Sequence, residues 1–212
     1  MAQDTARIEA VMRAAPVIPV LIVDDPKSAV PMAEALVRGG LPAIEITLRT
    51  PRALEAIKAV ADHVEGAIPG AGTVLDAAQY EAAVKAGSKF IVSPGATPKL
   101  LDAAANHDVP LLPGAATASE VMALIERGYL RLKFFPAEQA GGAAYLKSLS
   151  SPLSQVKFCP TGSISLDKAP TYLALPNVLC VGGSWIADAA SIAAGDWAGI
   201  EARAREAAAL AR

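Results

Sequence analysis

Histidine and cysteine are scarce in this chain, with two of each in 212 residues. Two cysteines cannot build the disulfide framework of a small secreted scaffold. His63 and His107, together with those cysteines, leave little material for a zinc site, and they remove most Ser-His and Cys-His arrangements for nucleophilic catalysis. Positive charge is not in excess: 19 Lys and Arg against 21 Asp and Glu give a formal net charge of −2. That balance lacks the basic stripe of a nucleic-acid binder, although a local site can oppose the net charge and hold an anion. No apolar run is long enough to span a bilayer, because Pro, Gly or charge interrupts each strand-sized stretch. Met1 to Ala15 lacks the basic-then-apolar pattern of a secretory signal, so a cytoplasmic protein with no membrane partner is expected. Linkers, low-complexity tracts and composition shifts are also missing, which predicts one domain over residues 1–212.

What is present is core material: 53% hydrophobic residues against 19% charged. Short β-type runs alternate with Ala-rich helical stretches. The strands are read at Val17–Val23, Ala43–Leu48, Ala67–Gly72, Phe90–Ser93, Pro110–Leu112, Leu132–Phe135, Gln155–Cys159 and Val178–Val181. Their starts lie about 20–26 residues apart, roughly the chain a parallel strand and its helical crossover require. Helices are predicted over Asp4–Ala14, ahead of the first strand, over Pro26–Arg38 before Gly39, after Thr50-Pro51 with Thr50 as N-cap, over Ala77–Ala86, and over Asp196–Leu210. Thr117 and Glu120 fit a capping box. Eight such units point to a (β/α)8 TIM barrel with an extra N-terminal helix, with a doubly wound open sheet as the rival. The second strand separates the two. Ile44, Ile46 and Leu48 share one face, and Glu45, Thr47 and Arg49 share the other. Polar residues on one face only suit a barrel lumen, whereas an open sheet would bury both faces under helices.

Lys133, inside Leu132-Lys133-Phe134-Phe135, is the sharpest chemical feature. Burial among apolar residues disfavours a charged amine, and the neutral amine is the nucleophile that forms a Schiff base with a carbonyl. Alternation turns Leu132 and Phe134 towards the helices and Lys133 towards the lumen. A structural lysine at a strand end is the competing reading, and it is preferred for Lys157, which comes early in its strand. Glu45 pointing inward needs a partner or a use. Either it only fills the lumen as an ion pair with Lys133, or it is a general acid/base beside that lysine. Arg49, nearer the barrel mouth, can grip a carboxylate. Thr161-Gly162-Ser163 and Gly182-Gly183-Ser184 follow the last two strands, where barrels often bind phosphate, with a short helix expected to present its N-terminus there. Gly70-Ala71-Gly72-Thr73 lacks the third glycine of a dinucleotide fingerprint and is read as a close approach for substrate, with Thr73 as a contact. Pro94, Pro113 and Pro136 end strands. Cys159 and Cys180 are read as core, and the histidines receive no role.

Taken in order, Pro16-Val17-Ile18-Pro19-Val20, Glu45-Ile46-Thr47-Leu48-Arg49-Thr50, Gly70-Ala71-Gly72-Thr73-Val74-Leu75, Ser93-Pro94-Gly95, Lys133-Phe134-Phe135-Pro136-Ala137-Glu138, Phe158-Cys159-Pro160-Thr161-Gly162 and Gly182-Gly183-Ser184-Trp185 resemble the class I 2-keto-3-deoxy-6-phosphogluconate (KDPG) aldolase family across nearly the whole chain. Members are often active on 4-hydroxy-2-oxoglutarate as well. The resemblance implies Lys133 as the Schiff-base lysine and Glu45 as the acid/base. It implies Arg49 and Thr73 on the substrate carboxylate, Pro94 and Phe135 around the pyruvyl group, and Thr161 near the substrate hydroxyls. Gly162, Ser163, Gly182, Gly183 and Ser184 would hold phosphate. A glycine is expected where this chain has Ser163, and a positive φ there would strain the serine and alter phosphate affinity. The implied substrate is a phosphorylated keto acid, the assembly a homotrimer, and no cofactor or metal is called for. Three alternatives stay open: the galactonate epimer as substrate, a phosphosugar isomerase or epimerase, and a sugar-phosphate binding barrel without catalysis.

Overall fold

The computed structural model describes residues 5–211. In chain order the elements are α1 (Thr5–Arg13), β1 (Val17–Leu21), α2 (Ala29–Arg38), β2 (Ala43–Thr47), α3 (Ala53–His63), β3 (Ile68–Gly72), α4 (Ala77–Lys85), β4 (Phe90–Val92), α5 (Pro98–Ala104), β5 (Leu111–Leu112), β6 (Gly114–Ala115), α6 (Ala118–Glu126), β7 (Arg131–Phe134), α7 (Gly142–Ser148), β8 (Lys157–Pro160), α8 (Ala169–Leu173), β9 (Val181–Gly183), α9 (Ala189–Ala194) and α10 (Trp197–Ala208). Every ladder is parallel. The strands form a six-stranded sheet, β5-β4-β3-β2-β1-β9, and a three-stranded one, β6-β7-β8.

The expected closed eight-stranded barrel is therefore met in part: the fold is α/β with an extra N-terminal helix, but its ladder is not continuous. Proline accounts for one gap. Pro113 has no N–H to donate, so β5, which lies within the predicted strand Pro110–Leu112, stops before it, and a further, unpredicted short strand, β6, follows it in the other sheet. The second gap lies between β8 and β9, where no ladder forms and the neighbouring chain segments are joined by the isolated bridges Phe158↔Val178 and Thr161↔Gly182. The last strand accordingly runs later than the predicted Val178–Val181.

Alternation along the strands sorts the interior into two apolar layers. Leu132, Phe134 and Phe158 join Ile44 and Ile46 in the layer that packs against the helices. A separate inner cluster contains Ile18, Ala43, Phe90, Val92, Leu112 and Cys159. α1 completes that cluster with Ile8, Val11 and Met12, so it covers the N-terminal end of the strands. Ile8 and Met12 are fully buried, and each contributes on the order of 2 kcal/mol from apolar area removed from water. Glu9 of the same helix locks it to β7 through Arg131, with contacts of 2.6 and 2.8 Å.

Local signals at helix starts are mixed. The capping box forms at Thr117 and Glu120, and Asp76 caps α4. Thr50 does not cap α3, whose N-cap position is Arg52; its hydroxyl instead donates to the Val23 carbonyl at 2.8 Å. A residue before proline is disfavoured in helical backbone, so Thr50-Pro51 forms a turn and the helix starts at Ala53. Pro26 likewise opens a single 3₁₀ turn, Pro26–Ser28, ahead of α2. Among the described residues no helix is long and apolar enough to cross a membrane.

Candidate active site

Lys133 and Glu45 come from different sheets and meet across the interior. On β7, Lys133 lies in register with Gly114 on one side and Cys159 on the other. On β2, Glu45 lies between Val20 and Gly70. The lysine Nζ donates to Glu45 Oε1 at 3.3 Å, and the two side chains are only 6% and 4% exposed. Taking an ion pair of this kind out of water costs several kcal/mol per charge, so two apolar residues of similar volume would hold the interior together at least as well. The pair therefore asks for a chemical use. The Phe135 ring stands with its centroid 5.3 Å from Nζ.

Small residues make the room. A Cβ on Gly72 would overlap the carboxylate of Glu45, and a Cβ on Gly114 would overlap the Pro94 carbonyl. Gly72 has ordinary negative φ, so Gly72→Ala acts through that overlap alone. The variant is expected to push Glu45 off Lys133 and lower kcat about 100-fold, the effect of a misplacement near 1 Å. A steady-state assay beside a thermal melt checks this, since overpacking should cost only about 1–3 kcal/mol of stability.

Above the pair, at the C-terminal ends of the strands, a cavity of about 450 Å³ is lined by Arg49, Phe135, Thr161, Gly162, Ser163, Gly182 and Ser184, with Val20, Ile22 and Asp188 among the others. Seven of the residues singled out in the sequence thus line one cavity. Lys133 and Glu45 lie outside its lining and are joined to it by Phe135. Thr73 is tied to it through Arg49, whose Nε donates to Thr73 Oγ1 at 3.2 Å. Pro94 packs against Gly114 beside Lys133, and Gly183 packs under the Trp185 ring. Ile22 and Asp188 carry no signal in the sequence that would have marked them, and Val20 falls in the segment 16–20 without an assigned role. Asp188 caps α9, where its Oδ1 accepts from the Ser191 amide at 2.8 Å, and that bond holds its carboxyl below the usual range.

One feature differs from expectation, and a second decides a point that the sequence left open. No helix starts directly after the Gly/Ser turns: α8 begins at Ala169 and α9 at Ala189, and both are short. The turns therefore present loop amides and side chains to the cavity rather than a helix N-terminus. Among the described residues no acceptor takes a hydrogen bond from the amides of Ser163 or Ser184. The second feature is strain. Ser163 has φ 57° and follows Gly162 at 114°, while Thr73 has φ 58°. Left-handed backbone costs an L-residue about 1–2 kcal/mol, and such costs concentrate at ligand sites. Among the described residues, no group of three or more His, Cys, Asp or Glu is placed to hold a metal ion.

Comparison with known proteins agrees with this geometry. The family model "Aldolase: KDPG and KHG aldolase" matches residues 8–203. The KHG/KDPG aldolase of Escherichia coli (strain K12) is 48% identical over 199 residues, covering 94% of this chain and 93% of that protein. The crystal structure of the 2-keto-3-deoxy-6-phosphogluconate aldolase of Zymomonas mobilis ZM4 with 3-phosphoglycerate superposes with a TM-score of 0.93 at 52% identity, covering 97% of this chain and 96% of that one. The KDPG aldolase of Legionella pneumophila, with pyruvate captured as a covalent carbinolamine, also gives 0.93, at 43% identity and coverages of 95% and 98%. With the match spanning nearly the whole chain and the lysine–glutamate pair in place, the chain belongs to the KDPG and KHG aldolase family.

Proposed function

We propose that this chain cleaves 2-dehydro-3-deoxy-6-phospho-D-gluconate to pyruvate and D-glyceraldehyde 3-phosphate through a Schiff base on Lys133, and 4-hydroxy-2-oxoglutarate to pyruvate and glyoxylate by the same route. The observation that carries this is the buried 3.3 Å contact between Lys133 Nζ and Glu45 Oε1. Lys133 passes a proton to Glu45, the uncharged amine attacks the C2 ketone, and Glu45 gives that proton to the departing carbinolamine hydroxyl, which leaves as water. The resulting iminium accepts the electron pair of the C3–C4 bond. Glu45, now a carboxylate, takes the C4 hydroxyl proton, so the aldehyde forms as that bond breaks. The enamine is protonated at C3, and hydrolysis of the iminium releases pyruvate and restores the amine.

In this reading Arg49 holds the substrate carboxylate together with Thr73, which its Nε reaches. Pro94 and Phe135 enclose the pyruvyl group, and Thr161 faces the sugar hydroxyls that distinguish the gluconate substrate from its galactonate epimer. Gly162, Ser163, Gly182, Gly183 and Ser184 hold the phosphate, with the loop amides of Ser163 and Ser184 as donors, since such amides form anion-binding concavities in turns of this kind. Physiologically we place the chain in the cytoplasm as a homotrimer, each subunit one domain whose two sheets meet around the lysine. The test is steady-state pyruvate release from both keto acids. Higher kcat/KM on the phosphorylated one is expected; equal values on both would remove the phosphate site, and no pyruvate from either would remove the lyase reading.

A further inference from the structure

A serine in left-handed backbone where glycine would sit without strain invites the question of what its side chain does. Ser163 lies in the cavity wall between Gly162 and Ile164, with Arg49 and Ser184 lining the same space. Its hydroxyl accepts a hydrogen bond from Gln139 Nε2 at 3.0 Å. Gln139 belongs to the loop that continues from the lysine strand β7, and this loop is fastened to the loop after β8. Ala137 N donates to the Thr161 carbonyl at 2.8 Å, and Glu138 N donates to the Gly162 carbonyl at 3.4 Å. Lys168 adds to the join, reaching Glu138 Oε2 at 2.7 Å and the Ser163 carbonyl at 3.5 Å.

A hydroxyl has one donor and two acceptor positions. Gln139 occupies an acceptor position, and among the described residues no protein acceptor takes the Ser163 proton. The donor is thus uncommitted at the edge of a cavity whose lining carries one cation, Arg49, and one carboxylate, Asp188, which caps α9. We propose that the Ser163 hydroxyl, held by Gln139, is a side-chain donor to the substrate's phosphate, so that this pair sets the preference for phosphorylated over unphosphorylated keto acids. The proposal rests on the phosphate site of the proposed function and adds a specificity determinant to its backbone donors. Gln139 acts through Ser163 and is a positioning residue.

The readout is the ratio of kcat/KM for 2-dehydro-3-deoxy-6-phosphogluconate to that for 4-hydroxy-2-oxoglutarate, measured on the wild type, Gln139→Ala, Ser163→Ala and the double variant. Ser163→Ala keeps the Cβ and its backbone strain and removes only the hydroxyl. Each single variant is expected to lower the ratio about three- to tenfold, the scale of one hydrogen bond, and the double variant no further than Ser163→Ala. An unchanged ratio in either single variant, or losses that multiply in the double variant, overturns the proposal. A wild-type ratio near one is a different failure: it removes the phosphate site itself, and this proposal with it.

Discussion

Replacing Lys133 by Ala or Met is expected to lower kcat by about 10⁴- to 10⁶-fold, because loss of a covalent nucleophile removes the reaction path. The interpretation depends on separating chemistry from folding. Lys133 is one half of a buried pair, and removing one partner of such a pair costs about 3–5 kcal/mol by leaving the other charge uncompensated. Lys133→Met alone is therefore expected to melt earlier than wild type. The double variant Lys133→Met/Glu45→Gln removes both charges at nearly constant volume and should recover most of the melting temperature. It should recover none of the activity. Kinetics and thermal melts on the three proteins test both halves. A single variant that turns over at the wild-type rate would place the nucleophile elsewhere.

Glu45→Gln is the second large effect. The amide keeps the size of the carboxylate, so it still fits the space beside Gly72, and it still offers Lys133 a hydrogen-bond acceptor. What it loses is the ability to give and take a proton, which is worth about 10²- to 10⁴-fold in rate. The expected result is a fall of that size in kcat with KM little changed, because binding through Arg49 and the cavity wall is intact. Retention of the wild-type kcat would strip Glu45 of its role and leave it a structural counter-charge.

Much of this site was legible in the sequence because strands alternate. Leu132 and Phe134 flank Lys133 as Ile44 and Ile46 flank Glu45, and both polar residues therefore turn inward. The turns after the last strands were legible from Gly and Ser at the right distance along the chain. The rest depends on contacts between residues far apart in sequence. Nothing local marks Gly72 as the space for Glu45, since a glycine at a strand end has several uses. Gln139 and Ser163 are 24 residues apart and meet only because two loops lie side by side. The stop at Pro113 was legible because proline has no N–H to give a ladder, whereas the resumption of pairing at Gly114, against Lys133, was not. Thr50 shows a different kind of miss. A capping residue type was present, but the following proline moved the helix start by a turn.

The account stands on an imine at one lysine. Incubation with pyruvate and sodium borohydride, followed by peptide mass analysis, tests it most directly. The predicted result is one reduced pyruvyl adduct per chain, on the peptide carrying Lys133, with loss of activity in proportion to labelling. Full reduction conditions that leave Lys133 unlabelled, or that label Lys157 or Lys168 in its place, would contradict it.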